Sequence, residues 1–149
     1  MGTSWNVLNW NIRGLNDDKK WSALSSKIEE SACSILCLQE TKREHLDSQY
    51  LKNLCPKYLS KFDYLPSVGA FGGLLVVWND QFFSGNTILK NDYSITIEFT
   101  SKRSGEIWTL TNIYGPCQHD LRPNFINWFE NLQMDDDQNW LVLGDFNYI

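Results

Sequence analysis

Short apolar runs divide the chain into predicted strands. Trp5–Ile12 is predicted to form the first strand, while Cys33–Gln39 and Leu74–Trp78 are almost uniformly apolar, as expected for strands that are covered on both faces. Ser94–Thr100 alternates apolar and polar residues, which predicts a half-exposed strand. These patterns indicate a sheet whose strands are mostly buried.

Two further strands are predicted near the end of the chain. The segment 102–105 has the composition of a hairpin turn and leads into a strand at Ile107–Tyr114. Trp140–Leu143 is predicted to be the last strand.

The segment 135–137, Asp-Asp-Asp, is interpreted as a solvated loop, because the spaced ligands of a calcium loop are missing.

Three segments carry apolar residues at helical spacing. The first begins at Asp17 or Asp18 and ends near Ser31, and a weaker helix is predicted over 44–54, followed by a loop. The third begins at Asp120, which is predicted to cap it. The apolar positions of the first helix are Trp21, Leu24 and Ile28, and those of the third are Phe125, Trp128, Phe129 and Leu132.

The order of these elements predicts a mixed α/β fold. A strand, a helix and a second strand form a crossover unit, which makes the two strands parallel. We find no internal repeat, linker or low-complexity segment in the 149 residues, so we interpret 1–149 as a single domain.

Composition limits the possible functions. A net charge of -5 argues against a free-standing electrostatic DNA clamp, but a metal-dependent nuclease needs carboxylates and is compatible with it. No apolar run is long enough to span a bilayer and the start of the chain lacks the pattern of a signal peptide, so we expect an intracellular protein, nuclear or cytoplasmic, without membrane contact. The four cysteines are expected to be reduced thiols.

Polar side chains follow the predicted strands at their carboxyl ends. They are Asn11, Glu40, Tyr114, Asp145 and Asn147. The crossover connections bring the carboxyl ends within each pair of strands to one edge, where open α/β sheets commonly bind ligands. Two carboxylates, two amides and a phenol suit a hard cation and a phosphate better than a soft metal.

Five motifs in order resemble those of the endonuclease/exonuclease/phosphatase superfamily. Within it, the chain looks most like the apurinic-type endonuclease domain of plant non-LTR (LINE-type) retrotransposons. The motifs are Asn9-Trp-Asn-Ile-Arg-Gly-Leu15, Leu38-Gln-Glu-Thr-Lys42, Phe71-Gly-Gly-Leu74, Asn112-Ile-Tyr-Gly-Pro116 and Gly144-Asp-Phe-Asn147.

The resemblance implies a four-layer α/β/β/α sandwich of the DNase I-like type and phosphodiester cleavage that depends on Mg²⁺ or Mn²⁺. Glu40 is expected to ligate the metal, with Asn11 and Asp145 as further candidate ligands. Asp145 is also expected to orient or deprotonate the attacking water with Asn147 beside it, and Tyr114 to contact the scissile phosphate. The expected partner is DNA.

The resemblance also implies a further Asp and a closing Asp-His pair in a C-terminal half, which no segment of this chain matches. His45 and His119 do not stand in matching positions. We therefore expect a C-terminally truncated domain, the N-terminal half of the sandwich, with a mixed sheet, helices on one face and weak or absent activity.

A half sandwich is expected to expose apolar strand faces, because the family's second sheet would come from the missing half. The residues concerned are Leu36, Leu38, Leu75, Val77, Leu141 and Leu143. An exposed apolar patch larger than a few hundred Å² usually marks an interface, so we expect a protein partner or self-association.

Alternative interpretations remain for the site and the function. Asp145 and Asn147 also suit a turn, Asn9 on the same strand face suits a structural amide with Asn11 as its equivalent, and Tyr114 suits a core position. Candidate phosphate contacts are Arg13, Lys42 and Arg43, which equally suit a solvated surface, and 117–120 is interpreted as a helix-entry loop rather than a ligand cluster. The alternative functions are a noncatalytic interaction protein derived from a retroelement fragment and a phosphomonoester or inositol-phosphate phosphatase.

Overall fold

A computed structural model describes residues 5–69, 71–133 and 139–147. The strands in these ranges are β1 Val7–Asn11, β2 Ile35–Gln39, β3 Lys61–Leu65, β4 Leu74–Trp78, β5 Phe83–Lys90, β6 Ser94–Ser101, β7 Ile107–Tyr114 and β8 Asn139–Asp145. The helices are α1 Asp18–Ser31, α2 Ser48–Leu54 and α3 Arg122–Glu130, and a 3₁₀ turn, His119–Leu121, precedes α3. The segment 135–137, predicted to be a loop, lies outside the described residues.

The strands form two four-stranded mixed sheets. Sheet 1 has the order β1-β2-β4-β3 and sheet 2 the order β5-β6-β7-β8. The pairs joined through α1 and α3, β1 with β2 and β7 with β8, are parallel, and the other neighbouring pairs are antiparallel. This confirms the predicted crossover and the predicted hairpin, because a helix between two strands returns the chain to the same end of the sheet.

The two sheets pack face to face around an apolar core. Alternate residues of β2 and β4, such as Cys37 and Val76, pack against Ile97 and Leu110 of sheet 2, and the residues between them, such as Leu38, pack against the helices. Because successive side chains of a strand point to opposite faces, one face of sheet 1 packs against sheet 2 and the other packs against the helices.

The predicted apolar face of sheet 1 is therefore not exposed. Leu36, Leu38, Leu75 and Val77 each have 0% of their surface accessible, because α1 and α2 cover that face. The second sheet consists of strands of this chain, so the expectation that it would come from elsewhere was wrong. Leu141 remains 37% exposed on β8, which ends sheet 2 among the described strands.

Two strands at sheet edges were not predicted. β3 and β5 mix polar and apolar residues, and Gly85 interrupts β5. The edges are joined across the two sheets by Asp63 of β3, which accepts hydrogen bonds from Thr87 at 2.5 Å and from Lys90 at 2.9 Å. Side-chain contacts between the two sheets stabilise these edge strands, and the residue pattern of a single strand does not reveal such contacts.

β6 is buried rather than half exposed. Its polar residue Thr96 is only 2% exposed, because its hydroxyl pairs with that of Thr111 on β7 at 2.9 Å. A hydroxyl satisfied by its neighbour can be buried at little cost, so the alternating pattern overstated exposure.

The helix boundaries differ from two predictions. The second helix begins at Ser48 with Asp47 as its cap, rather than at Glu44. Asp120 lies in the 3₁₀ turn and does not cap α3, whose second residue is Pro123. Proline lacks an N–H donor, so this helix start has one fewer group for a cap to satisfy. None of the helices in the described ranges has the length and apolar character that crossing a bilayer requires.

Candidate active site

The predicted site residues lie together at the carboxyl ends of the strands. Asn11 ends β1 on sheet 1, and Asp145 ends β8 on sheet 2 beside Tyr114 of β7. The Asn11 Nδ2 atom donates to Asp145 Oδ2 at 2.7 Å. This hydrogen bond joins the ends of the two sheets, and Asn11 thus contacts the predicted catalytic carboxylate directly.

Both oxygens of Asp145 accept hydrogen bonds. Oδ2 accepts from Asn11, and Oδ1 accepts from the backbone N–H of Asn147 at 2.9 Å. Asn147 adopts a left-handed backbone, with a φ of 50°, and its side-chain amide donates to the carbonyl of Gly115. The turn that holds Asp145 is therefore anchored to the segment that follows Tyr114.

Glu40 stands on a strained backbone at the end of β2. Its φ is 58°, and Lys42 has a φ of 56°. The turn is held by backbone hydrogen bonds, from Gly14 N to Glu40 O at 2.6 Å and from Lys42 N to Gly72 O at 2.7 Å. Left-handed backbone in residues other than glycine persists where surrounding contacts enforce it, and it is concentrated at functional sites.

The carboxylate of Glu40 is partly accessible. Its side chain is 20% exposed, and the Nζ atom of Lys42 lies 3.5 Å from Oε1. An ion pair this exposed adds little stability. Part of the Glu40 side chain therefore stays accessible beside its cationic neighbour.

Tyr114 is packed against Glu40 across a glycine. A Cβ atom at Gly72 would meet Tyr114 Cε2 at 3.0 Å and Glu40 Cγ at 3.1 Å. The Tyr114 hydroxyl lies 3.3 Å from Cys117 Sγ. Burial, the contact with Cys117 and the negative charge of Glu40 raise the pKa of Tyr114 well above its usual value, so the phenol keeps its proton.

Two buried amides beneath the site were not predicted as functional. Gln39 and Asn112 are 1% and 0% exposed, and the Nε2 atom of Gln39 donates to Asn112 Oδ1 at 2.7 Å. The detectable signal was an amide inside each apolar strand, because a buried polar side chain needs partners. Asn9, considered as the structural amide, accepts from Gln39 at 2.6 Å.

The predicted cationic residues occupy different surroundings. Arg13 is exposed, and its backbone N–H donates to Asn11 Oδ1 at 3.0 Å. Lys42 is 56% exposed beside Glu40. The guanidinium of Arg43 donates to Asn16 and lies 4.3 Å from the ring centre of Tyr50, so it is held by the segment before α1 and by α2.

The oxygen donors at this edge fit a hard cation. Glu40 supplies an accessible carboxylate, Asn11 an amide oxygen and Asp145 a second carboxylate, and Mg²⁺ is usually held by one or two carboxylates together with water and phosphate oxygens. Within residues 5–69, 71–133 and 139–147, no three His, Cys, Asp or Glu side chains gather as a metal-binding cluster.

Comparison with known proteins gives a matching family and several structures of similar fold. Residues 8–149 match the model of the Endonuclease/Exonuclease/phosphatase family. The structure is similar to the human Nocturnin catalytic domain with bound sulfate, with a TM-score of 0.69 and 18% identity over 96% of this chain and 64% of that chain. This likeness confirms the predicted fold class.

Two further solved structures have the same fold. The endonuclease domain of TRAS1, a telomere-specific non-LTR retrotransposon, has a TM-score of 0.65 and 11% identity over 96% of this chain and 60% of that chain. D. rerio TDP2 complexed with single strand DNA product has a TM-score of 0.63 and 15% identity, again over 96% of this chain and 60% of that chain. The chain thus spans less than two thirds of the length of each of these three structures.

Proposed function

The chain belongs to the endonuclease/exonuclease/phosphatase family, and from this we propose that its strand-end site serves divalent-metal-dependent hydrolysis of phosphodiester bonds in DNA. The observation that supports this most is the direct hydrogen bond between Asn11 and Asp145, which brings the candidate residues of two sheets into one site beside Glu40 and Tyr114.

We assign the cation to Glu40 and the amide oxygen of Asn11. When bound, Mg²⁺ or Mn²⁺ supplies charge that stabilises the negative charge developing on the phosphate. Asp145 was also a candidate ligand. Because its two oxygens accept hydrogen bonds from Asn11 and Asn147, its orientation is fixed, which suits the task of orienting and deprotonating water better.

Tyr114 is proposed to donate its hydroxyl proton in a hydrogen bond to a phosphate oxygen. The raised pKa of this phenol keeps it protonated at neutral pH, so it can act as a donor there. A donor fixed in advance by the packing against Gly72 stabilises developing charge without reorganising during the reaction.

Arg13 and Lys42 are the proposed contacts to the flanking DNA phosphates. Both are exposed next to the site, whereas Arg43 is engaged with Asn16 and Tyr50 and is the weaker candidate. With a net charge of -5, affinity for DNA has to come from these local cations and from the metal, so we expect weak binding whose salt dependence is shallow, as for about two phosphate contacts.

A retrotransposon-type endonuclease is the proposed subgroup. Its support is the series of motifs from Asn9 to Asn147 and the likeness in fold to the TRAS1 endonuclease domain. A phosphomonoester phosphatase is the proposed enzymatic alternative, and hydrolysis of a phosphomonoester without any DNA nicking would favour it.

Nicking of supercoiled plasmid tests the proposal. The 149-residue chain is incubated with plasmid in Mg²⁺, in Mn²⁺ and in a chelator, and Asp145→Ala serves as the inactive control. Nicking that requires the metal and is lost in Asp145→Ala supports the proposed function. A folded chain that nicks in neither metal contradicts it for these residues and favours the noncatalytic alternative.

A further inference from the structure

Two buried amides join the sheets directly beneath the site. Gln39 lies on β2 of sheet 1, and Asn112 lies on β7 of sheet 2. The Nε2 atom of Gln39 donates to Asn112 Oδ1 at 2.7 Å and to Asn9 Oδ1 at 2.6 Å. Asn112 Nδ2 donates to the carbonyls of Leu38 and Leu75 at 3.2 Å and 3.3 Å.

The four N–H groups of these two side chains all have acceptors. A primary amide offers two donors, and each of the two amides uses both. The resulting network reaches from β1 through β2 and β4 to β7. Burial of an amide is costly unless it is paired in this way, and an apolar pair would fill the same space without that cost.

The position of the amides relative to the site explains why they are useful. Gln39 immediately precedes Glu40, the proposed cation ligand. Asn112 precedes Tyr114 by two residues and so lies on the same face of β7, the face that meets sheet 1. Hydrogen bonds are directional, so this pair fixes how far one strand end can slide past the other, which apolar packing does not.

We infer that Gln39 and Asn112 are positioning residues that set the separation between the carboxylate of Glu40 and the hydroxyl of Tyr114. The inference rests on the proposed function, since it assigns the amide pair to the geometry of that same site. The spacing between a cation held by Glu40 and a phosphate contacted by Tyr114 is then determined by these two amides, at the buried interface between the two sheets.

Leucine substitutions separate positioning from stability. Gln39→Leu leaves the buried Asn112 Oδ1 atom without its donor, and Asn112→Leu leaves one buried N–H of Gln39 without its acceptor, so each single variant lowers the melting temperature. The double variant removes both buried amides together and regains part of that loss, because replacing both members of a buried pair is less costly than replacing one. Thr96→Val is the matched control, since it removes a buried hydrogen bond between β6 and β7 in which no residue of the site or of the amide pair takes part.

The reactivity of Cys117 reports on the site independently of catalysis. Cys117 is exposed and lies 3.3 Å from the Tyr114 hydroxyl, whereas the other three cysteines are buried. Displacement of Tyr114 removes this contact, so the rate of reaction with Ellman's reagent is expected to change about fivefold, as for the loss of one hydrogen bond. The double variant shows the same change, and Thr96→Val reacts at the rate of the unmodified chain.

Plasmid nicking gives the second measurement. In the double variant kcat is expected to fall about 100-fold, as for a displacement of about 1 Å, while KM changes little because the exposed phosphate contacts remain. A Cys117 rate and a kcat that both stay within about twofold of the unmodified chain would overturn the inference, since one hydrogen bond lost at the site exceeds that change. If the unmodified chain does not nick, the proposed function fails, and the Cys117 rate alone decides the inference.

Discussion

Gly72→Ala tests whether Glu40 and Tyr114 work as a pair. The added Cβ would lie 3.0 Å from Tyr114 Cε2 and 3.1 Å from Glu40 Cγ, which is 0.4 Å and 0.3 Å short of ordinary contact at 3.4 Å. Gly72 is not among the glycines with a positive φ, so alanine adds crowding without backbone strain. The two side chains must therefore move apart by a few tenths of an ångström.

The expected loss follows from that displacement. A shift of about 1 Å at a reacting group costs about 100-fold in rate, so a shift of this size is expected to lower the nicking rate roughly tenfold. Crowding one methyl group into a packed site destabilises by about 1 kcal/mol. The nicking rate is measured on supercoiled plasmid in Mg²⁺, and stability is measured by thermal unfolding.

Gly105→Ala is the matched control. Gly105 lies in the hairpin turn at the other end of β7, with a φ of 75° and open space around its Cβ position. Alanine there costs about 1 to 2 kcal/mol through backbone strain but leaves the site unchanged. The reasoning is refuted if both variants nick at equal rates, or if Gly72→Ala nicks as fast as the unmodified chain.

Three further predictions concern stability and the thiols. Asp63→Asn is expected to cost about 1 kcal/mol at pH 7 in denaturant unfolding, because the carboxylate accepts from Thr87 and Lys90. Burial opposes ionisation of Asp63, but these hydrogen bonds outweigh burial and lower the pKa of Asp63. The difference in the free energy of unfolding between Asp63→Asn and the unmodified chain should therefore disappear as the pH falls below about 4. A difference that persists at pH 2 contradicts the role given to the carboxylate. In the native chain at pH 8, only Cys117 among the four cysteines is expected to react with Ellman's reagent; rapid reaction of two or more contradicts the burial of the others. Burial, with a smaller contribution from Cys33, raises the pKa of Cys55 to about 12, so the free energy of unfolding should fall as the pH rises from about 9 towards that value, and a Cys55→Ala variant should lose less stability over that range.

That the candidate residues lie at neighbouring strand ends was predictable because it depends on local order in the sequence. Asn11, Glu40 and Asp145 each follow an apolar strand, and the two crossover units place those strand ends on common edges. The hydrogen bond from Asn11 to Asp145 links residues 134 positions apart, so no local pattern contains it.

The second sheet was harder to predict for a physical reason. Its edge strand β5 contains Gly85 together with exposed apolar residues, Ile88 and Leu89, which conceals the usual alternation. The wrong expectation of an exposed apolar face came from the resemblance, which was taken to place the second sheet in a further C-terminal half, whereas β5, β6, β7 and β8 of this chain form that sheet. The amides Gln39 and Asn112 and the packing of Gly72 depend on contacts between sheets, so they become visible only in the folded arrangement.

Titration of the nicking rate with Mg²⁺ tests the central claim, that one strand-end site divides cation binding and water activation between Glu40 and Asp145. The rate is measured for the unmodified chain, for Glu40→Gln and for Asp145→Asn. We expect Glu40→Gln to raise the Mg²⁺ concentration needed for the half-maximal rate, because it removes the charge that holds the cation. Asp145→Asn should lower the maximal rate by at least about 100-fold with little change in that concentration, because it removes the base. Equal Mg²⁺ titration curves for all three proteins would contradict the account.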